Sequence, residues 1–351
     1  MRHHHHRPTA RALAVAAPLA LALLALTLAQ PGCSVEKTHA AAAPQPADLP
    51  PEPARAPEPA PAPDSTQSAA QAVQGPPKGA EQALDLDRLQ KNYPWLSDSS
   101  RPHPLPAHHL HHRFPEPPGY QRVELEDGSF GAFLRELPLA APGTPVLSHR
   151  GATILHQDHP NLAAVAAIDV GDADLQQCAD SIIRLHAEWA FARGRRDHSY
   201  RGASGLELPF SRYLKGERLV YRDKQLSWQS RGKPRRADHI TLRDYLDSVF
   251  AWANTGSLAN QAQKIPREQL RPGDFFVVPG GPGHAVLILD VAAGPDGRLA
   301  LLLGQGFMPA QNFQVLRPAP GQAWFIVEPA DQAVATPFWA PFPWGSLRRL
   351  S

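Results

Sequence analysis

Apolar positions divide the chain into regimes with different periods. Ala12 to Ala29 is a continuous run of Ala, Leu, Val, Thr and one Pro. From Glu36 to Ala83 there is almost nothing aromatic or β-branched to bury. Helical spacing first appears at Leu84 to Leu96, and Ser129 is placed to cap a short helix that ends before Pro138. Gly119 to Leu125 and Ala163 to Val170 read as strands. Asp172 predicts the cap of a long helix over Ala173 to Arg193, with Leu175, Cys178, Ile182, Leu185 and Trp189 on its apolar stripe. A polar loop follows, then a second helix from Leu242 to Asn254 striped by Leu242, Tyr245, Leu246, Val249, Phe250 and Ala253.

The C-terminal third changes period. Phe275 to Val278 and His284 to Val291 read as buried strands, and Gly294-Pro295-Asp296-Gly297 turns the chain into a return strand, Leu299 to Leu303. Phe313 to Leu316 and Trp324 to Glu328 add two more. Helices first and an antiparallel sheet last predict an α+β domain.

Composition divides the chain further. The basic start and the short apolar run with Pro18 form a secretory signal pattern, too short for a comfortable membrane span. Gly32-Cys33-Ser34 resembles the cleavage site of bacterial lipoproteins, which implies acylation of Cys33 and partnership with a lipid membrane. Cleavage near Ala29, leaving Cys33 a free thiol, is the alternative. The expected organisation is a signal peptide over 1–32, a disordered Pro/Ala-rich tether over 33–83 and one α+β domain over 84–351. The tether cannot offset its ordering entropy, and its prolines favour an extended spacer. The expected location is therefore the cell envelope, at the outer membrane or in the periplasm if the organism has two membranes. The four histidines at 3–6 are set aside as a tag or a native quirk. A net charge of +2 with dispersed basic residues argues against nucleic acid as a partner.

Two cysteines occur, and acylation of Cys33 would leave Cys178 without a partner. Cys178 on the first long helix, His284 opening a central strand and Gln305 ending the next can share one site. A thiol is mostly protonated at neutral pH, so an imidazole must take its proton before it attacks a carbonyl. Gln305 would orient that imidazole. Gln176 and Gln177 are oxyanion candidates, and Asp274 is a supporting one. The other reading makes Cys178 a packed core thiol and His284 a turn residue. His103, His108, His109, His111 and His112 are dense but lack a recognised ligand spacing, so neither a metal nor any other cofactor is expected.

The order of these residues resembles the papain-like fold, especially its NlpC-type cell-wall peptidases. Arg271-Pro272-Gly273-Asp274-Phe275-Phe276-Val277 and Gly283-His284-Ala285-Val286-Leu287-Ile288 carry that resemblance. It implies a cysteine peptidase or amidase cutting an amide bond, with cell-wall peptide as a substrate. A non-catalytic envelope module, binding through the same groove or near Trp339 and Trp344, is the competing function. Tyr93-Pro94-Trp95-Leu96, Asp174 to Asp180, Pro282 to Val286 and Met308-Pro309-Ala310-Gln311 together resemble the family catalogued as domain of unknown function 4846. That resemblance runs from about Asn92 to the C-terminus and implies no particular activity.

Overall fold

The apolar segments of the C-terminal third build the middle of one sheet. A computed structural model describes residues 84–351; the expected signal peptide, Cys33 and the tether lie outside the described residues. The framework comprises β1 (Leu162–Val165), α1 (Cys178–Ala192), α2 (His239–Phe250), β2 (Phe275–Val278), β3 (His284–Ala293), β4 (Leu299–Gln305), β5 (Gln314–Leu316) and β6 (Leu347–Arg349). The nine-stranded sheet runs Gln263–Lys264, β6, β2, β3, β4, β5, β1; Phe325–Val327 adds to β4 and Gln121–Arg122 to β3. Every pairing is antiparallel. Together with seven α-helices among the described residues, this is an α+β arrangement.

β3 is central because it is apolar on both faces. Ala285, Leu287 and Leu289 belong to the core that holds Ile182, Ile183 and Leu185 of α1. Val286, Ile288 and Val291 join Phe276, Leu301, Leu303 and Phe342 in a second core. The period of two therefore serves two packed layers, each buried aliphatic side chain contributing roughly 1.5–3 kcal/mol. Asp290 interrupts the run and is fully buried. Arg135, from the helix Phe130–Arg135 capped by Ser129, meets it at 2.7 Å, and Arg122 meets it from the adjoining strand at 2.7 Å.

The first long helix departs from expectation. It begins at Cys178, not Ala173, and Asp172 does not cap it. Asp174 instead accepts from the Ala310 N–H at 2.7 Å and from Gln177 Nε2 at 3.0 Å, holding the preceding loop in an irregular path. The Gln177 N–H donates to Asp180 Oδ2 at 3.2 Å, so the carboxylate three residues on closes the helix start. The second helix is likewise displaced towards its cap, Asp238, which accepts from the Thr241 N–H. The stretch read as a polar loop contains a hairpin, Glu217–Arg222 with Gln225–Ser230. Asp223 and Lys224 turn it with φ of 50° and 60°, the mirror-image geometry that suits strand twist.

Candidate functional site

Cys178 is the first residue of α1, which packs against β3. First-turn N–H groups have no intrahelical acceptor, and those of Cys178 and Ala179 act to lower the thiol's pKa. The N–H of Ala285, on β3, acts in the same sense. The β3–β4 ladder begins at the Leu287–Gly304 pair, so this lies at the open end of the two strands. Gly306 explains the close approach: a Cβ there would lie 2.9 Å from the Gln177 carbonyl oxygen and would strike the Ser181 hydroxyl. Only glycine lets the chain leaving β4 pass the helix start.

His284 and Gln305 share the other face of the same strand ends. Nε2 of His284 lies 2.7 Å from Gln305 Oε1, and Nδ1 has no partner. With the amide oxygen as acceptor, Nε2 carries the hydrogen and Nδ1 carries the lone pair, the tautomer a general base requires. Nδ1 has no partner, so the thiol does not bond it in this conformation. Cys178 is 5% exposed and His284 0%. Rings enclose the imidazole: Phe307 at 4.8 Å, Trp339 at 4.9 Å and Phe342 at 6.1 Å between centroids.

The closed site is uncharged. Burial, reinforced by the Asp180 carboxyl, pushes the Cys178 thiol up to about 11 against the pull of the N–H groups. Burial lowers His284 to about 4, partly opposed by its bond to Gln305. Burial also raises Asp180 to about 8.

The remaining sequence candidates are placed elsewhere or already engaged. Gln176 is buried, its oxygen accepting from Arg184 Nη1 at 2.9 Å and its nitrogen donating to the Asp169 carbonyl at 3.1 Å. Gln177 spends its amide nitrogen on Asp174. Both side-chain amides are already engaged; the unpartnered side-chain donor at the site is Gln305 Nε2, beside the main-chain N–H groups of the helix start. Asp274 is bonded through both oxygens to Arg349 at 2.6 and 2.8 Å and accepts from the Arg271 N–H at 2.9 Å. Its carbonyl meets the N–H of Ile288, four residues along β3 from His284, or roughly 13 Å at strand rise. It anchors β2 to β6 outside the site.

Histidines 109 and 111 turn Nδ1 to the carbonyls of Glu136 and Arg135. Among the described residues no group of three or more His, Cys, Asp or Glu is arranged to hold a metal ion. A cleft of about 450 Å³ lined by Arg101, His103, His149 and Asp172 does not include Cys178, His284 or Gln305. No helix among the described residues is long and apolar enough to cross a membrane.

Sequence reasoning missed the ionic cluster behind the site. Arg184 is fully buried and reaches Asp169 at 2.6 Å and Glu188 at 2.7 Å. Arg243 adds a contact to Asp169 at 3.3 Å, and His239 Nε2 lies 2.9 Å from Glu188. Burial alone would raise the Asp169 carboxyl, but Arg184 and Arg243 hold it well below the usual range. The legible signal was Arg184 and Glu188 at i and i+4 on a helix otherwise apolar.

Three buried histidines make stability depend on pH. Burial lowers His186 to about 3, His198 to about 4 and His284 to about 4, from an ordinary 6.5. Each stays neutral when folded and gains its proton on unfolding. Their contribution is thus complete above pH 6.5 and is lost as pH falls towards 4. Asp180 acts oppositely: its raised value gives a contribution complete below 3.8 and lost as pH rises towards about 8. With three groups against one, stability is expected to fall by about 2 kcal/mol per unit between pH 6 and 4.5. Urea midpoints across that range check it, and a flat profile contradicts it.

The α+β domain with its cysteine at a helix start can now be assigned. The chain belongs to the family described as domain of unknown function (4846), whose model matches residues 110–349. No curated protein and no solved structure matches it.

Proposed function

We propose that this domain is a papain-like cysteine hydrolase that cleaves an amide bond, with cell-wall peptide as the substrate class, in a bacterial envelope lipoprotein. One observation carries the reading: Cys178 opens the central helix beside the start of β3, where His284 offers an open Nδ1 while Gln305 holds Nε2. The reaction requires the Cys178 sulfur to come within hydrogen-bond reach of His284 Nδ1, which has no partner in this conformation. The imidazole takes the thiol proton, and the thiolate adds to the carbonyl carbon while helix-start N–H groups receive the oxyanion. Collapse breaks the C–N bond, and imidazolium gives its proton to the leaving amine. Water, deprotonated by His284, then adds to the thioester; collapse yields the carboxylic acid and returns the thiol.

Release of new amino groups from cell-wall peptide fragments under reducing conditions tests this reading. No release by the reduced full chain across such fragments sinks it. Burial of both side chains favours a second reading, a non-catalytic envelope module in which Cys178 is core packing. Its aromatic surface is less open than a binding face requires, since Trp339 lies on His284 and Trp344 on Phe276. The anchor is tested separately: labelled fatty acid should enter the protein in a bacterial host and be lost in Cys33→Ser. Equal label in both removes Cys33 as the lipid site.

A further inference from the structure

We infer that residues 335–341 form a lid, closed over His284 in this conformation, which lifts from a fixed base to expose that imidazole. The inference rests on the hydrolase reading only for what the exposed site does; closure itself is argued from packing.

The base is firmly tied. Ala333–Val334 pairs with Phe342–Pro343, and Phe342 is fully buried 5.9 Å from the Phe276 ring. Arg267 donates to the carbonyls of Glu328, Pro329 and Asp331 and lies 4.4 Å from the Trp344 ring centroid. Trp344 Nε1 donates to the Asp331 carbonyl at 2.7 Å.

The tip is different in kind. Apart from a turn at 337–338, nothing in 335–341 is tied by a hydrogen bond to the rest of the described residues, and the Thr336 hydroxyl is buried without a partner. Ring contacts hold the tip down: Trp339 on His284 at 4.9 Å, and Phe338 on Phe307 at 6.4 Å and on His159 at 5.4 Å. Phe338 sits at φ 70°, where a side chain costs about 1–2 kcal/mol, and remains 38% exposed. A segment whose backbone is not bonded to its surroundings and makes few contacts opens at lower free energy than the sheet beneath it. What Trp339 covers is a histidine with no exposure. Active-site lids are drawn from such segments.

The test is the rate of His284 modification by diethyl pyrocarbonate in the folded full chain, resolved from the other histidines by peptide mass. Wild type should react far more slowly than the urea-unfolded chain. Trp339→Ala removes the ring over His284, and Phe338→Gly removes a second ring while suiting the backbone. Each should raise the rate by roughly tenfold or more, beyond what its urea midpoint predicts from global unfolding. Tyr221→Ala, an exposed ring on the Glu217–Arg222 strand, should leave the rate unchanged. The lid is overturned if wild-type His284 already reacts as fast as in the unfolded chain, if both lid variants match wild type, or if their acceleration follows global unfolding. Faster His284 modification in the lid variants with no peptide cleavage by any protein keeps the lid and removes the hydrolase.

Discussion

Replacing Arg184 by methionine is expected to destabilise the domain by about 3–5 kcal/mol, enough to remove a large share of a typical domain's stability. The reason is what remains behind. Asp169 and Glu188 are buried with Arg184 bonded to both, and the methionine would fill much of the space without supplying a charge. Arg243 and His239 would still face the two carboxylates, but Arg243 reaches Asp169 only at 3.3 Å. Arg184→Lys should fall between the two, because one ammonium cannot reproduce a fork whose Nε meets Glu188 and whose two Nη atoms meet Asp169. The damage should also reach the candidate site. Arg184 Nη1 holds Gln176, the residue before the helix cap, so its loss frees the chain that delivers Cys178. Urea unfolding checks the stability, and hydrogen exchange at the first turn of α1 checks the coupling. A midpoint within about 0.5 kcal/mol of wild type would show the charges to be solvated after all.

How far the sequence foretold this arrangement depends on which residues carried a local signal. β2, β3 and β4 were legible because buried apolar runs bounded by Gly and Pro leave little choice, and β2 matches its expected bounds. The helix carrying Cys178 was legible in type but not in start. Asp172 looked like a cap because it follows Gly171 before an apolar stripe. What fixes the start is a tertiary bond, Asp174 to the Ala310 N–H, which no local pattern contains. Gln177 and Asp180 did hold a readable cue, a residue pair three apart that closes a helix start. That displacement matters for chemistry, since it moves Cys178 from the second turn to the first, where N–H groups are unpaired. His284 and Gln305 were placed together by hairpin register alone, but two of the rings above them, Trp339 and Phe342, come from a segment far along the chain and could not be anticipated. Asp274 misled because it neighbours a strand end; its partner, Arg349, lies at the far end of the chain.

If the hydrolase reading is right, Cys178→Ala and His284→Ala should each lower kcat/KM for peptide cleavage by about 10⁴-fold or more, because nucleophile and base act as one unit. The double variant should then be little worse than either single one. Gln305→Ala should cost less, roughly 10²-fold, since it disturbs the tautomer and ring position without removing the base. The pH profile separates that positioning role from a structural one. With His284 lowered to about 4, activity should rise through about pH 4 as the imidazole loses its proton, well below where a solvated histidine titrates. The Gln305 bond raises His284, so its removal should move the acid limb lower still, a shift that mere loosening of the fold does not produce. Thermal melts run beside the kinetics identify any variant that is simply unfolded. A Cys178→Ala protein that keeps full activity would move the chemistry away from β3 altogether, leaving the buried thiol as packing at a helix start.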